Sequence, residues 1–277
     1  MIAIGLGLLV GLLLGLTGAG GSILAVPLLM AGLGWTITQA STVSLLAVAV
    51  AAAVGTALAW RHRYVRYRAA MLMASIGVIA APFGIRLAND LPTAVLTMIF
   101  AVVLGIVAIR MFHATLVSTQ ETINAWAVVT GDGAPGHNEI CRVNPATGRL
   151  IWTWPVAGII GLIGAATGFL SGLLGVGGGF VVVPALRAVT PLSMHSAVAT
   201  SLMAIALTST GTMISGYYQG RSLPLAVALP FVAGAVAGMA LGRHAAPHIA
   251  GPTLQQGFAI VSGIVSIVMV AHVAAIL

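Results

Sequence analysis

Two glycine-rich segments carry the residues best suited to chemistry, and neither contains a charged side chain. The segment TGAGGSILAVP spans residues 17–27, and LGVGGGFVVVP spans residues 174–184. Glycine is the worst helix former after proline, so each cluster predicts a break in an otherwise helical stretch. A break frees backbone N–H groups, and the helix that resumes offers its positive N-terminal end to a ligand. The pattern predicts an anion-binding site built from backbone.

The residues assigned to this site are the glycines of both breaks and the hydroxyls near them. They are Gly18, Gly20, Gly21, Ser22, Gly175, Gly177, Gly178 and Gly179, with Ser44, Thr200 and Ser201 from the matching segments STVSLL and VATSLM. Hydroxyls can bind an anion, but they also bond to carbonyls of their own helix. Pro27 and Pro184 each remove a backbone hydrogen bond, so we expect them to contribute to the helix breaks.

Acidic and metal-binding residues are missing from the apolar stretches. The four acids fall in loops or at the ends of hydrophobic spans: Asp90, Glu121, Asp132 and Glu139. This argues against intramembrane catalysis by paired aspartates and against carboxylate coupling to protons or sodium. The sequence has no HExxH motif and one cysteine, Cys141, so no metal site or cofactor is expected. We expect a protein that is not an enzyme and has no catalytic residue.

Composition places the chain in a membrane. Of its 277 residues 60% are hydrophobic and 5% charged, and the mean hydropathy is +1.12. Eight hydrophobic spans can be distinguished, which predicts an all-α polytopic membrane protein in a lipid bilayer. All eleven basic residues are arginines, and four of them lie in the loop from Arg61 to Arg68. That loop is expected to be cytoplasmic by the positive-inside rule, and nucleic acid is not expected as a partner.

The sequence repeats itself at an offset of 157 residues. Gly18 aligns with Gly175 and Pro27 with Pro184, and the register continues without a gap to Arg86 and Arg243. We therefore expect two homologous halves of about four hydrophobic segments each, residues 1–112 and 152–277. Residues 113–151 form a polar linker, in which alternating stretches around a turn predict a small β-hairpin.

The arginine distribution favours inverted halves. Inversion puts six arginines on the side of the Arg61 to Arg68 loop and one, Arg221, opposite, whereas a parallel repeat gives five against two. Inversion needs an odd number of crossings per half, but the spans supply four. A helix from Met1 to Leu33 would measure about 50 Å, so it must tilt or break. Whether the chain breaks or folds back at Gly18 to Gly21 stays open from sequence.

The paired glycine segments, SAVATSL and the linker CRVNPATGRLIWTWP together resemble the TauE/SafE family of sulfite exporters over nearly the whole chain. The resemblance implies an inner-membrane transporter of two related halves that exports small sulfur-containing anions such as sulfite, sulfoacetate or related organosulfonates. The family's glycine motifs fall on the glycines named above. The first copy departs from the second by having Ser22 where the second has Gly179.

We expect a secondary transporter or facilitator that exports a small anion by alternating access of the two halves. An anion channel and a cation-coupled importer of an oxyanion are the alternatives, and assembly into a homo-oligomer is open. A membrane enzyme or a sensor that acts through the linker has less support from the residues.

Overall fold

The structure is a computed structural model that describes residues 2–18, 20–60, 65–128, 153–189, 194–221, 223–245 and 251–276. These residues form ten α-helices and no strand. The helices are α1 (Ile2–Thr17), α2 (Gly20–Leu33), α3 (Ile37–Trp60), α4 (Tyr67–Asp90), α5 (Thr93–Val128), α6 (Trp154–Leu174), α7 (Gly179–Val189), α8 (Met194–Tyr218), α9 (Leu225–Ala245) and α10 (Gly251–Ile276). Helices suit a membrane because they satisfy their backbone hydrogen bonds internally.

Five of the described helices, α3, α4, α6, α8 and α9, are long and apolar enough to cross a membrane. Helices α1 and α2 have 16 and 14 residues. They measure about 24 and 21 Å, less than the hydrocarbon thickness of about 30 Å. The prediction of four segments per half needs a correction, because glycines divide the first and fifth spans into two helices each. The described residues give five helices on each side of the linker.

The linker begins as helix. Helix α5 continues to Val128, so the alternating stretch that starts at Ile123 is helical as far as Val128 and not extended. A helix satisfies its own backbone groups as it leaves the membrane, whereas an isolated two-stranded hairpin is marginal. The rest of the predicted hairpin, in residues 129–152, lies outside the described residues.

Helices α1 and α9 pack with their backbones in contact. A Cβ on any of three glycines of α1 would collide with α9 backbone around Phe231, Ala235 and Met239: Gly7, Gly11 and Gly15. Residue numbers rise together along both helices, so the two run parallel.

Helices α6 and α4 form a matching parallel pair. Gly164, Gly168 and Gly172 of α6 face the α4 backbone at Met73, Gly77 and Ala81. These contacts identify Gly11, Gly15, Gly168 and Gly172 as packing residues, since small residues let membrane helices approach closely.

The chain folds back at the first glycine cluster. A Cβ on Gly21 would meet the backbone of Val10 and Leu14, and one on Gly32 would meet the Leu6 side chain. Helix α2 therefore returns antiparallel along α1. In the same way Gly178 lies against Thr167, 157 residues beyond the Gly21 and Val10 pair. Helices α1 and α2 form one hairpin, and α6 and α7 form a second.

Two further pairs are antiparallel. Gly55 of α3 lies near Leu202 of α8, while Val48 of α3 and Ser209 of α8 both contact Gly177. Residue numbers rise along α3 in the direction in which they fall along α8, so these two helices run antiparallel.

Helices α5 and α10 show the same relation. A Cβ at Gly105 would lie 3.1 Å from Ser266 Oγ, and one at Gly263 would lie 3.9 Å from the Ala108 Cβ. Ser266 also donates to the Ala101 carbonyl at 2.8 Å.

Helix α2 sits in the centre of the bundle. Ile23, Leu24, Ala25 and Val26 are all fully buried, so α2 is covered around its whole circumference. A helix that is apolar on every side belongs in a protein interior. The hairpin tips are therefore enclosed by protein, which is where non-helical backbone can exist at membrane depth.

Candidate functional site

The two hairpin tips turn in the same way. Gly18 has a φ of 77° and Gly175 a φ of 71°, the left-handed conformation that glycine adopts at helix C-termini. Each donates its N–H to the carbonyl four residues earlier at 2.8 Å. A Cβ at Gly18 would collide with Val198 of α8, and one at Gly175 with Ser41 of α3. Each tip thus lies against the long central helix of the other half.

The second tip is the more open of the two. Gly177 and Gly178 also have positive φ, 74° and 63°, and α7 begins only at Gly179, whereas α2 begins at Gly20. Residues 175–178, which we call the glycine loop, lie between α6 and α7 and belong to neither helix. Successive backbone N–H groups in such turns form concave sites for anions.

The first turns of α2 and α7 meet each other. Ser22 Oγ lies 3.4 Å from the position that a Cβ would take at Gly179, and Ser22 is fully buried. The two residues occupy the same place in the 157-residue register. Because each helix N-terminus carries a partial positive charge, their convergence creates a region that favours an anion.

The place where α2 and α7 meet lies midway along α3 and α8. Gly177 contacts Val48 and Ile205, and each of these is the twelfth residue of its helix, of 24 residues in α3 and 25 in α8. The glycine loop is therefore at the level where both helices have half their length on either side.

Three buried hydroxyls surround the glycine loop without a hydrogen-bond partner among the described residues. They are the Oγ atoms of Ser44 and Ser209 and the Oγ1 of Thr167. Ser209 Oγ lies 2.6 Å from the Cβ position of Gly177, and Thr167 packs on Gly178. Ser44 lies between Ser41 and Val48 on the face of α3 that contacts the loop, because positions three and four apart share a helix face. A buried hydroxyl left unpaired costs about 1–3 kcal/mol, so each of the three is a candidate donor to a ligand.

The predicted hydroxyls have different surroundings. Ser201 donates to Val198 O at 2.8 Å and reaches the Gly18 carbonyl at 3.4 Å, which places it at the first tip. Thr200 Oγ1 instead accepts a hydrogen bond of 3.1 Å from the Arg66 N–H. Of the three predicted hydroxyls, Ser44 lies by helix periodicity on the face of α3 that contacts the glycine loop, Ser201 lies at the first tip, and Thr200 bonds to Arg66.

The predicted role of the prolines as helix breaks is wrong. Pro27 lies inside α2, and Pro184 lies within the bounds of α7. The breaks fall at Gly18 and at the glycine loop. One missing backbone bond does not interrupt a helix in the bilayer when neighbouring groups compensate.

Thr167 and Ser209 were absent from the sequence-based set. Ser209 lies eight residues after Ser201 and therefore about two turns further along a similar face of α8. This spacing could have identified Ser209 from the sequence. Thr167 becomes notable only once Gly178 is known to pack against it.

Helices α6 and α8 carry buried hydroxyls that the register does not repeat in α1 and α3. They are Thr167, Ser171, Thr208, Ser209 and Thr212, and the register pairs them with Val10, Leu14, Ala51, Ala52 and Gly55. Ser171 Oγ and Thr212 Oγ1 lie 3.3 Å apart. The two tips share the turn at Gly18 and Gly175 and differ in the hydroxyl side chains of the helices around them. No group of three His, Cys, Asp or Glu residues that could hold a metal is found in the described part of the chain.

Comparisons with known proteins show which family the chain belongs to. The model of the family described as "Sulfite exporter TauE/SafE" matches residues 3–269. Two Xylella fastidiosa proteins named "Probable membrane transporter protein" are 29% identical to the chain. The one from strain Temecula1 matches over 90% of this chain and 85% of its own length, and that from strain 9a5c over 87% and 83%. A protein of the same description from Methanocaldococcus jannaschii is 37% identical over 31% of this chain and 36% of its own. No solved structure matches. The chain is a multi-pass membrane transporter that belongs to the sulfite exporter TauE/SafE family.

Proposed function

We propose that the protein exports a small sulfur-containing oxyanion, such as sulfite, sulfoacetate or a related organosulfonate, across the inner membrane. The observation that carries the proposal is the set of three unpartnered hydroxyls around the glycine loop, where the N-termini of α2 and α7 meet. These groups take an anion as substrate and need neither a cofactor nor a bound metal.

The chemistry of the site fits a sulfite or sulfonate group. Such a group presents several acceptor oxygens, and the site offers hydroxyl O–H and backbone N–H donors. Two helix N-termini add positive potential without a fixed cation. The weak charge of the site also suits release, because a transporter must let go of its substrate on the other side. These features favour transport over catalysis, for which a nucleophile or an acid pair would be needed.

We propose further that the halves form an inverted repeat. The equivalent helices α3 and α8 are antiparallel, as are α5 and α10, which supports inversion. The fold-back of each hairpin supports it as well, because it gives every half five helices and therefore an odd number. In transporters of this kind the substrate binds where the halves meet near the bilayer midplane, which is the level of Gly177 along α3 and α8.

The proposed orientation follows from the arginines. With the loop from Arg61 to Arg68 in the cytoplasm, Arg187 and Arg243 join that side. The membrane potential is negative inside, so it favours exit of an anion by about 2.3 kcal/mol per charge per 100 mV. Export therefore requires no coupling ion.

Flux into and out of proteoliposomes tests this function. Sulfite, sulfoacetate, thiosulfate and sulfate are each measured under an imposed potential, and we expect saturable flux of at least one that responds to the potential. Flux equal to that of empty liposomes for all four would contradict the proposal. Flux that fails to saturate would favour the channel, and flux that requires a sodium or pH gradient would favour coupled import.

A matched pair of variants links that flux to the site. Ser209→Ala removes an unpartnered hydroxyl at the glycine loop and is expected to lower flux about tenfold, as for loss of one good hydrogen bond to a charged ligand. Thr210→Ala is the control, because Thr210 is exposed and its Oγ1 donates to the Ala206 carbonyl of its own helix at 2.7 Å. Equal flux in both variants would contradict the assignment of Ser209.

A further inference from the structure

An arginine lies at one end of the helical bundle, in the connection that follows α8. Arg221 lies in the turn between α8 and α9. Its N–H donates to the Gly216 carbonyl at 3.0 Å, and Gly220 has a φ of 82°. This reversal keeps Arg221 beside the end of α8, where its Cδ lies 3.4 Å from the Cβ position of Gly216.

The guanidinium group of Arg221 has neutral partners at long distances. It donates to Ser41 Oγ at 3.3 Å and to Asn89 Oδ1 at 3.4 Å. The Nε atom is buried and has no partner among the described residues. Burial lowers the pKa of Arg221 below its usual value, so the positive charge is only partly compensated by its surroundings. A half-buried guanidinium in this condition is suited to an oxyanion, which it can bind through two parallel hydrogen bonds.

Ser41 joins this arginine to the proposed site. Gly175 packs directly on Ser41, and Val48, on the same face of α3, contacts Gly177. Seven residues of helix separate Ser41 from Val48, which is about 10 Å. The unpartnered hydroxyl of Ser44 lies between them. An anion that moves from the glycine loop along this face of α3 meets Ser44 and then the guanidinium group.

The 157-residue register does not repeat the pair of Arg221 and Ser41. In the 157-residue register Arg221 corresponds to Tyr64, and Ser41 corresponds to Val198. If the loop from Arg61 to Arg68 is cytoplasmic and the halves are inverted, Arg221 lies on the outer side, together with the end of α4.

We propose that Arg221 is a second anion-binding residue. It binds the oxyanion that leaves the glycine loop at the outer end of the bundle, and the oxyanion replaces Ser41 and Asn89 as its hydrogen-bond partners. This inference rests on the proposed function, because it assumes that an anion occupies the loop. The positive charge lowers the barrier for an anion that leaves a site built from neutral donors.

A charge-rescue experiment tests the role of Arg221. In a Cys141→Ser background, which has no cysteine, Arg221→Cys is labelled in detergent with methanethiosulfonate reagents that attach a trimethylammonium, a sulfonate or a neutral methyl group. Each protein is then reconstituted, and the flux of sulfoacetate, which unlike sulfite does not cleave the mixed disulfide of the label, is measured below saturation. We expect Arg221→Cys to lose about tenfold in flux, the trimethylammonium label to restore most of it and the sulfonate label to lower it further.

The controls separate charge from structure. Trimethylammonium cannot donate a hydrogen bond, so it cannot replace the contacts to Ser41 and Asn89, and rescue would report the charge alone. Arg86→Cys is the matched control, because Arg86 is an exposed residue near the same end of α4, and no label should alter its flux. Identical flux for all three labels of Arg221→Cys would overturn the proposal. If Arg221→Cys does not fold, Arg221→Lys should retain most of the flux and Arg221→Gln should lose it.

A binding measurement distinguishes failure of this inference from failure of the proposed function. Sulfite-dependent thermal stabilisation is compared for the wild type and Arg221→Gln in detergent. If the wild type transports none of the four anions but is stabilised by sulfite, and Arg221→Gln is stabilised less, then Arg221 binds the anion although export is wrong. Equal stabilisation of both proteins, or stabilisation of neither, would overturn the role of Arg221.

Discussion

The Oγ of Ser22 lies 3.4 Å from the point that a Cβ would occupy at Gly179, and the two residues hold the same position in the repeat. In the inverted repeat that we propose, two equivalent residues that meet lie at the axis relating the halves. That axis would then pass between the first turns of α2 and α7. One of the pair has a hydroxyl and the other has no side chain, so a single hydroxyl stands where strict symmetry would put two.

Substitution of Gly179 should affect transport more than folding. In Gly179→Ser the new Cβ meets the end of the Ile205 side chain and Ser22 Oγ, both of which can move. We expect a melting temperature close to that of the wild type and a clear loss of sulfite flux. Gly178→Ala is the contrast, because its φ of 63° and the Thr167 carbonyl leave no place for a Cβ. That variant should lose about 1–2 kcal/mol or more in stability. Wild-type flux in Gly179→Ser would contradict the placement of substrate at the meeting point.

Removal of an unpaired hydroxyl should stabilise the protein while weakening transport. Thr167→Val keeps the shape of the side chain and deletes an Oγ1 that has no partner. We expect the free energy of unfolding without substrate to rise by about 1 kcal/mol and flux to fall. Thermal unfolding in detergent and flux in liposomes measure the two effects. A variant that loses stability would show that the hydroxyl is already satisfied in the protein.

The glycine contacts between α1 and α9 and between α6 and α4, which we call the glycine seams, should not tolerate an added methyl group. Gly11→Ala and Gly168→Ala are equivalent changes, and each would force a Cβ into the backbone of Ala235 or Gly77. We expect each to cost about 1–3 kcal/mol, the usual range for overpacking. Gly5→Ala and Gly158→Ala are the controls, because neither glycine has an atom within 4 Å of its Cβ position. Comparable melting temperatures in all four variants would argue against the seams.

The inverted arrangement makes a prediction about sidedness. Tyr67, at the start of α4, and Tyr218, at the end of α8, are both exposed, and they flank the equivalent connections of the two halves. In the Cys141→Ser background, Tyr67→Cys should react with an impermeant maleimide from the cytoplasmic side only, and Tyr218→Cys from the outer side only. Labelling is measured in inside-out vesicles and in right-side-out vesicles. Reaction of both cysteines from one side would mean that the halves are parallel.

Much of the architecture could be predicted from sequence because it depends on local composition. Apolar length and scarce charge identify a membrane protein, and the constant offset of 157 residues aligns Gly18 with Gly175 and α3 with α8. The break at each glycine cluster was predictable, since glycine lowers helix stability wherever it stands. The prolines were wrongly predicted to break helices, because the hydrogen bond that a proline removes does not reveal whether neighbouring groups compensate for the loss. Pro27 lies inside a continuous helix.

The composition of the site could be predicted only in part. The glycines and Ser44 follow from the repeat, but Thr167 and Ser209 become site residues through their contacts with Gly178 and Gly177. Thr200 looked equivalent to its neighbour, yet it accepts a hydrogen bond from the Arg66 N–H. Adjacent residues on a helix point about 100° apart, so a sequence segment cannot say which of them faces a ligand.

The sequence by itself determined that this chain crosses a membrane, that its two halves share one pattern and that its helices are interrupted at two glycine clusters. Only the tertiary structure decided that the chain folds back there, that the two tips lie against α8 and α3, and that Arg221 stands beside Ser41. The physical reason is one of range. Hydropathy and helix propensity act within a few turns of a helix. The direction in which the chain turns at a glycine, and the contacts of the tips and of Arg221 with residues well over a hundred positions away, depend on the packing of the whole bundle.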